Sequence, residues 1–395
     1  MVVSDGKAFL EKIHIKNFLS LRDVTLPFKP LTVLVGPNAS GKSNTFLALH
    51  LLKRIIVSES LPLDNLMMDS LWADEDQKIC FHLYTKIKEN KTLYHLEMRA
   101  NPDFSFLDEQ LSINDLNVIS IQDGQGIVQD ENGESETTFN SNKLALGSAG
   151  NYGNKPITRA LTEFIKEWEF FDFSTTFIRG NLSSFSPTEK EIREFPKLDT
   201  YGIHLPKVLW NLHNNSRESF QNISDSLAAS TNREIDYCKI DGENQFCLLE
   251  GDKNLLPLHG ASDGILRLIA YYILLNEPEL PPLIAIEEPE RNLHPGALTD
   301  IAHVLEQIAQ YSQVIITTHS SQLLDAFNSE SLSDSLGVLL LHNRPGVGTE
   351  ALNLEDCSDK GEALQGWIDD FGIGSAIFDS GLLPDEMEDI SECQA

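Results

Sequence analysis

The chain has 395 residues, of which 41% are hydrophobic and 23% are charged, a composition typical of a globular protein that buries a substantial core. No apolar run approaches the roughly 20 residues that cross a bilayer, and the first residues lack a signal-peptide stretch, so we expect a cytoplasmic protein with no membrane partner. A formal net charge of −30, without a visible basic cluster, disfavours direct binding of bare DNA.

The first predicted elements are two antiparallel strands, a third strand and a helix. Apolar and polar residues alternate over 9–15 and 24–28, which is the period of half-buried strands. The apolar run 31–35 predicts a short buried strand. Residues 42–57 carry apolar side chains at helical spacing, so a strand–loop–helix unit is expected.

The loop of this unit reads GPNASGKS at 36–43 and matches the phosphate-binding pattern G-x-x-x-x-G-K-[ST]. Its backbone N–H groups and the helix N-terminus would hold the phosphates of ATP. Lys42 is expected to reach the β- and γ-phosphates, and the Ser43 hydroxyl is expected to bind Mg²⁺. The predicted nucleotide contacts are Gly36, Pro37, Asn38, Ala39, Ser40, Gly41, Lys42, Ser43 and Asn44.

Residues 58–250 have a different pattern, in which an antiparallel lobe is interrupted by helices. The predicted strands cover 79–86, 92–99, 234–240 and 245–249. The predicted helices cover 156–170, a segment that begins at the capping box Ser186-Pro187-Thr188-Glu189, and one or two helices within 206–229. The polar, glycine-rich stretch 123–148 is predicted to be a mobile loop.

A second small-residue loop, HGASDG at 259–264, precedes the apolar helix predicted for 265–275. A loop of this kind at a helix N-terminus can bind an anion. A single ATP needs only one such loop, so a second loop makes sense if it serves the ATP of a partner subunit. An ordinary Ser or Asp helix cap is the alternative, and loop composition does not decide between them.

Two further strands are predicted to end in polar side chains. The apolar run 283–286 is typical of a buried parallel strand and ends at Glu287 and Glu288. Glu287 is placed to hold Mg²⁺ through water, and Glu288 is placed to deprotonate the water that attacks the phosphate. The run 314–318 ends at His319, which could donate a hydrogen bond to the γ-phosphate.

These four blocks, in this order, resemble the ABC ATPase superfamily. Within it they are similar to the RecF/SMC-like branch, to the ATPase domain of OLD (overcoming lysogenization defect) proteins, and to AAA ATPases with GPNxSGKSN followed by EEPExxLHP. Those motifs read 36–44 and 287–295 here. The resemblance implies that Ser262, Asp263 and Gly264 form the signature motif, that 290–294 form the D-loop and that His319 is the switch histidine.

The resemblance covers 9–57 and 255–345 and implies an α/β fold. The expected architecture is an ABC-type P-loop ATPase core with a mixed, mainly parallel sheet and flanking helices, plus an antiparallel β-lobe and a helical insertion. The expected divisions are 1–57, with the P-loop; 58–250, the lobe and insertion; 251–345, with the signature and the acid pair; and 346–395, an acidic segment interpreted as a disordered terminus.

Three features depart from the family or stay open. The signature reads SDG rather than the SGG of transporters, and Glu287 replaces the usual Asp. Gln122 and Gln125 are equal candidates for the Q-loop glutamine.

The five cysteines contain no C-x-x-C pair, and we interpret them as unpaired thiols rather than as zinc ligands or disulfides. They are Cys80, Cys238, Cys247, Cys357 and Cys393.

Three functions fit these motifs to different degrees. The first is an ATPase switch that forms a homodimer or a higher homo-oligomer around ATP and regulates a separate effector, a nuclease or a toxin in bacterial anti-phage defence. The second is a RecF-like ATPase in DNA repair, which would require a basic face. The third is the nucleotide-binding subunit of a transporter, which the SDG signature and the long inserted lobe disfavour.

Overall fold

The computed structural model describes eleven stretches of the chain: 8–58, 78–99, 105–133, 136–141, 143–149, 153–185, 196–240, 242–251, 254–332, 334–356 and 361–379. The strands are β1 (Ala8–Phe18), β2 (Leu21–Pro27), β3 (Leu31–Val35), β4 (Lys78–Ile87), β5 (Asn90–Arg99), β6 (Ser105–Ile113), β7 (Leu116–Gln122), β8 (Gln125–Gln129), β9 (Glu136–Asn140), β10 (Glu169–Phe171), β11 (Glu234–Ile240), β12 (Glu243–Glu250), β13 (Asn254–Pro257), β14 (Leu283–Glu287), β15 (Gln313–Thr318), β16 (Leu336–Arg344) and β17 (Gly348–Asn353). The α-helices are α1 (Lys42–Val57), α2 (Ala145–Ala149), α3 (Pro156–Lys166), α4 (Thr175–Ser184), α5 (Leu205–Asn215), α6 (Arg217–Thr231), α7 (Asp263–Leu275), α8 (Leu298–Ala309), α9 (Ser321–Asp325), α10 (Gly361–Phe371) and α11 (Ile373–Phe378).

The central sheet is mainly parallel, as expected. Its strand order is β10-β14-β15-β3-β16-β17, and only the pairing of β16 with β17 is antiparallel. β14 and β15 are buried along almost their whole length, because both faces of this sheet are covered.

An eight-stranded antiparallel sheet lies on one face of the central sheet. Its order is β2-β1-β4-β5-β6-β7-β8-β9, so β1 and β2 join the strands of the inserted lobe in one sheet. Side chains from this sheet, from α1 and from α3 form one core with alternate residues of the central strands, such as Leu283 and Ala285. The intervening residues Ile284 and Ile286 point to a second core, which includes α7 and α8.

The structure confirms most of the predicted elements. The helix predicted at 42–57 has those bounds, and the predicted strands correspond to β1–β5, β11, β12, β14 and β15. The segment 206–229 forms two helices, α5 and α6. The helix predicted over 156–170 ends earlier, at Lys166, because the chain turns there into the edge strand β10. The capping box at 186–189 and the acidic residues from 380 onward lie outside the described residues.

Two sequence-based predictions are wrong. The stretch 123–148 is not a mobile loop, because it contains the hairpin β8–β9 and helix α2. Cys238 and Cys247 are not unpaired thiols, because a disulfide joins them across the β11–β12 hairpin. Among the helices that the structure describes, none is both long and apolar enough to cross a membrane.

Candidate functional site

The predicted phosphate-binding loop, acid pair and switch histidine meet at one edge of the central sheet. β3, β14 and β15 run parallel, and the register pairs Glu287 with Thr317 and Val35 with Thr318. The carboxyl ends of the three strands therefore lie side by side, which is where ligands bind in open α/β sheets.

The loop 36–43 requires glycine at two positions. A Cβ atom at Gly36 would lie 2.2 Å from the carbonyl oxygen of Leu341, and one at Gly41 would lie 2.3 Å from Oγ1 of Thr349. Gly41 also has a φ of 109°, which side chains disfavour. Ala39 takes a left-handed φ of 64°, and Asn38 is exposed at the tip of the loop. The neighbouring strands thus fix the backbone path around the loop.

Lys42 lies inside this loop rather than in solvent. Its residue is 6% exposed, and its Nζ donates to the carbonyl oxygens of Gly36 and Pro37 at 2.8 and 2.9 Å. Burial lowers the pKa of Lys42 to about 8, although the carboxylates of Glu288, Glu287 and Glu290 oppose this shift. A loop that encloses an ammonium group in this way fits the β- and γ-phosphates of ATP.

Ser43 and Glu287 form a pair of oxygen donors. The Ser43 hydroxyl donates to Oε1 of Glu287 across 244 positions of sequence. Ser43 is exposed at the start of α1, and Glu287 is the last residue of β14. A hydroxyl and a carboxylate in contact beside a phosphate-binding loop are oxygen donors that Mg²⁺ accepts, so these residues fit that metal.

The carboxylate of Glu288 is held between two other side chains. Oε2 accepts a hydrogen bond from Nε of Arg291 at 3.0 Å, and Oε1 lies 3.5 Å from Nε2 of His319. The guanidinium of Arg291 also contacts Asp172, which follows β10, at 3.1 Å. Glu288 is therefore oriented from two sides while its carboxylate stays about one-third exposed, at 32%.

The D-loop is anchored through Glu290. Its Oε1 accepts from the hydroxyl of Thr318 at 2.6 Å and from the backbone N–H of His319 at 3.2 Å. The second oxygen, Oε2, is buried and has no hydrogen-bond partner among the residues that the structure describes. Glu290 thereby ties the predicted D-loop to the end of β15, next to His319. The sequence places Glu290 in the D-loop but does not predict this contact.

Sequence analysis missed the residues that support the phosphate-binding loop from behind. The Asn44 amide donates to the Ser20 hydroxyl at 2.7 Å, and that hydroxyl contacts the Thr349 hydroxyl at 2.8 Å. Thr349 Oγ1 in turn donates to the Ser40 carbonyl at 3.0 Å, and Asn343 donates to the Ala39 carbonyl at 3.1 Å. Asn44, predicted to contact nucleotide, is thus bonded to Ser20. No local pattern marks Ser20, Asn343 or Thr349, because their contacts span hundreds of residues.

The second loop, 259–264, is held at a different part of the sheet. Arg179 of α4 donates to the Ala261 carbonyl at 2.8 Å and to Oδ1 of Asp263 at 2.6 Å. A Cβ atom at Gly264 would lie 3.2 Å from the carbonyl oxygen of Asn292, so the loop packs against the D-loop. The Ser262 hydroxyl accepts a hydrogen bond from the Ile265 N–H at 3.4 Å and so caps α7. Ser262 is also exposed to solvent.

Gln122 and Gln125 stay equal candidates for the Q-loop residue. Gln122 ends β7 and Gln125 begins β8, and the two residues pair with each other across the turn of this hairpin. Gln122 also pairs with Asp108 on β6, and Gln125 pairs with Asn140 on β9; neither pairing identifies the Q-loop residue.

A loop with the phosphate-binding pattern, two acids and a histidine meet at the carboxyl edge of a mixed sheet, which is the arrangement of an ABC-type ATPase of the OLD/SMC-like group. Residues 31–325 match the family described as "AAA domain, putative AbiEii toxin, Type IV TA system", and the chain belongs to this family.

Single relatives match either over a short stretch or at low sequence identity. The OLD nuclease of Thermus scotoductus is 45% identical over 42 residues, which are 11% of this chain and 8% of that protein. A crystal structure of an SMC head bound to the C-winged helix domain of ScpA has 14% identity and a TM-score of 0.51, over 89% of this chain and 99% of that one. The SMC head domain from Thermotoga maritima has 13% identity and a TM-score of 0.47, over 88% and 99%.

Proposed function

We propose that two copies of this chain bind ATP and Mg²⁺ between them, hydrolyse the ATP, and thereby switch a separate effector protein. The observation that carries this proposal is that the loop 36–43 and the small-residue loop 259–264 are held over different parts of one sheet. The loop at 36–43 follows β3, whereas the loop at 259–264 is held by α4, which follows β10, and by the D-loop.

The spacing of the strands supports a composite site. β10 lies three strand positions from β3, which is about 14 Å at the usual strand spacing of about 4.8 Å. The two loops are therefore held over different strands of the sheet, and in a composite site the loop 259–264 would meet the nucleotide bound by a partner chain. The exposed Ser262 and Asn292 are accessible to the nucleotide and the surface of a second copy.

In this proposal the residues around the phosphates have separate tasks. Lys42 and the backbone N–H groups of 36–43 hold the β- and γ-phosphates, and Ser43 and Glu287 hold Mg²⁺, directly and through water. When bound, Mg²⁺ would neutralise phosphate charge in the transition state. The buried position of Lys42 excludes water from the ammonium and strengthens its attraction for phosphate.

Glu288 is the general base of the proposed reaction, and His319 is its neighbour at the γ-phosphate. The Glu288 carboxylate would orient the attacking water and accept its proton. Arg291 and His319 limit the positions that this carboxylate can take, which supports a role that depends on orientation. A hydrogen bond from His319 to the γ-phosphate would stabilise the charge that develops there.

The proposed effector is a nuclease or a toxin in anti-phage defence. The family description names a putative toxin, and the short match in Thermus scotoductus is to a protein named as a nuclease, which supports this class of partner. Within the described residues, the cluster of possible metal ligands consists of a cysteine and two histidines. Nucleases that use metal ions depend mainly on carboxylates, and the proposal places the nuclease or toxin activity in a separate chain.

The proposal is tested first by ATP binding. We expect the protein to bind ATP in isothermal titration calorimetry and the Lys42→Ala variant to bind none, because an ammonium is lost from a cluster of phosphate charges. His303→Ala, an exposed histidine on α8, is the control and should bind like the parent. Equal ATP affinity in the parent and in Lys42→Ala would overturn the assignment of the loop.

Co-purification from the native host would identify the effector. A DNA-binding assay tests the alternative function, a RecF-like ATPase in DNA repair. A RecF-like DNA-binding ATPase should bind duplex DNA with an affinity that falls steeply with salt, because phosphate contacts release counterions. With a net charge of −30, we expect no such binding between 50 and 200 mM salt, with or without ATP. Tight, strongly salt-dependent binding would replace the effector proposal with the DNA-repair alternative.

A further inference from the structure

A cluster of metal-ligating side chains lies on the antiparallel sheet, away from the nucleotide site. Cys80 and His82 point to the same face of β4, and His95 lies directly opposite His82 on β5. Sγ of Cys80 is 3.7 Å from Nδ1 of His82 and 3.6 Å from Nδ1 of His95. All three ligand atoms lie within 4.8 Å of one another.

These distances agree with tetrahedral zinc geometry. Zn–S bonds of about 2.3 Å and Zn–N bonds of about 2.05 Å, at the tetrahedral angle, separate sulfur from nitrogen by about 3.6 Å. The two Sγ–Nδ1 distances therefore match that value before any metal is added. The two nitrogens need to be about 3.4 Å apart, which a rotation of one imidazole ring can provide.

Neighbouring side chains orient the two imidazole rings, as carboxylates beside histidine ligands do in zinc proteins. Oδ2 of Asp108, on β6, lies 3.6 Å from Nε2 of His95, so the carboxylate favours a proton on Nε2 and leaves Nδ1 available as a ligand. On the other side, the ring of His14 stacks on His82, with the ring centroids 5.3 Å apart. Two imidazole nitrogens and one thiolate suit Zn²⁺ better than they suit Mg²⁺ or Ca²⁺.

We propose that Cys80, His82 and His95 bind one Zn²⁺ ion on the outer face of the antiparallel sheet. Three protein ligands leave a fourth position for water, which is the arrangement of an open zinc site. Because β4 and β5 both supply ligands, the metal also ties these two strands together through their side chains. This site is independent of ATP binding at the edge of the central sheet.

Cobalt substitution tests the proposal directly. The untagged, full-length protein is stripped with a chelator under conditions that leave its fold intact by circular dichroism, and it is then titrated with Co²⁺. We expect one equivalent to bind and to give the thiolate-to-cobalt charge-transfer band and intense tetrahedral d–d bands. Added Zn²⁺ should displace the cobalt and bleach these bands, because sites of this kind bind Zn²⁺ more tightly than Co²⁺.

Matched variants separate this site from other thiols. Cys80→Ser should lose the charge-transfer band, and His95→Gln should weaken Zn²⁺ binding in a chelator competition by at least about 100-fold. Asp108→Asn should weaken Zn²⁺ binding by about 10–100-fold, as does the loss of a carboxylate that orients a histidine ligand. His303→Ala, on α8, is the control and should bind like the parent.

Two results would overturn the site. The first is the absence of a thiolate band in the folded parent protein at one equivalent of Co²⁺. The second is a band that persists in Cys80→Ser, since the metal would then be bound by another cysteine. Neither result would bear on ATP binding, because the Lys42→Ala titration measures a different site.

Discussion

Glu288 takes a backbone conformation that residues other than glycine rarely adopt. Its φ is 41°, and its N–H donates to both the carbonyl oxygen and the Oγ1 of Thr317, each at 3.1 Å. A non-glycine residue in this region carries strain of about 1–3 kcal/mol, which the surrounding structure must offset. In this conformation Oε1 of Glu288 lies 3.5 Å from Nε2 of His319, where the proposed base would meet the attacking water.

The first prediction separates the two acids. Glu288→Gln should leave ATP affinity unchanged and slow hydrolysis by about 10²–10⁴-fold, because an amide cannot accept the proton of water. Glu287→Gln should instead weaken the dependence of binding on Mg²⁺. Single-turnover hydrolysis and calorimetry at several Mg²⁺ concentrations measure the two effects. If Glu288→Gln hydrolyses ATP like the parent protein, the base is a different residue, and Glu287 and His319 are the next to test.

The second prediction concerns pH and Lys42. In the free protein, burial holds the pKa of Lys42 at about 8, and bound phosphates favour the charged form and so raise this pKa. ATP binding therefore takes up a proton above about pH 8, and affinity should fall as pH rises, by up to about tenfold per unit. Below about pH 8 Lys42 is already charged in the free protein, so its titration should no longer change the affinity for ATP. Lys42→Arg is the control, since its guanidinium stays charged and its pH profile should be flat. A flat profile for the parent protein between pH 7 and 9.5 would contradict the assigned cause.

At the level of strands and helices, sequence predicted those elements whose signals are local. The strand–loop–helix unit around 36–43 was correct in type and bounds, because one contiguous motif specifies it. The hairpin β8–β9 was missed because its residues are mostly exposed and polar, so that hydrogen bonds between strands, rather than an apolar pattern, define it. The disulfide between Cys238 and Cys247 was missed because it depends on the register of β11 against β12.

The same distinction applies to the candidate site. The loop 259–264, Glu287, Glu288 and His319 were predicted as site residues because each follows a recognisable strand or precedes a helix, and their roles stay predictions. Ser20 and Thr349, whose hydroxyl groups meet behind the phosphate-binding loop, are 329 positions apart. Only the three-dimensional pairing of β16 and β17 beside β3 brings such residues together.

The third prediction concerns Glu109, which holds the start of α2. Its carboxylate accepts the N–H groups of Ala145 and Leu146, at 2.6 and 2.8 Å, and the hydroxyl of Tyr94 at 3.1 Å. Burial raises the pKa of Glu109 to about 7, from 4.5, so the folded state holds this proton more tightly than the unfolded state does. The folded state is then favoured at low pH, and this contribution is lost as pH rises from about 4.5 to about 7.

Glu109→Gln resembles the protonated form and should remove this pH dependence, which is on the order of 3 kcal/mol. Urea unfolding at pH 5 and pH 8 gives the free energies of unfolding for the parent and the variant. The difference between the two proteins should favour the variant at pH 8 and shrink at pH 5. A difference independent of pH would mean that Glu109 is ionised in the folded protein throughout this range.

The fourth prediction concerns the positioning of the signature loop by α4. Arg179→Ala removes the guanidinium that contacts the His259 carbonyl, the Ala261 carbonyl and Asp263. Because these contacts lie away from 36–43, ATP binding should persist, while hydrolysis should fall by at least about tenfold. Arg217→Ala, at the start of α6, is the matched control and should leave both unchanged. A parallel loss of ATP binding in Arg179→Ala would point to a structural role instead.

Charge and symmetry govern the whole assembly. Each copy carries a formal charge of −30, so two copies repel each other at low ionic strength. Physiological salt screens such repulsion beyond about 8 Å, and Mg²⁺ bound at the proposed site on Glu287 would reduce it locally. We therefore expect dimers to require both nucleotide and salt. A dimer with two-fold symmetry contains two equivalent composite sites, each made from the phosphate-binding loop of one chain and the signature loop of the other.

The fifth prediction uses this symmetry. Lys42→Ala damages one phosphate-binding loop, and Ser262→Arg places bulk and charge where the exposed signature loop would face a partner's nucleotide. Each variant alone should be inactive. In a mixed dimer both lesions fall in one composite site, and the other site keeps an intact loop from each chain. An equimolar mixture, with half of its dimers mixed and one site intact in each, should recover about a quarter of the parent activity if the sites act independently.

Steady-state ATPase assays across protein concentrations distinguish this dimer from a monomeric enzyme. In the dimer, specific activity falls on dilution, and mixing the two inactive variants restores turnover. In a monomer, specific activity stays constant down to nanomolar concentration and Ser262→Arg behaves like the parent. The mixture then has no activity beyond the sum of its two components. That second pattern would reduce the loop 259–264 to the helix cap that Ser262 already provides for α7. Recovery in the mixture would require two chains at one nucleotide, because neither variant contains a complete site.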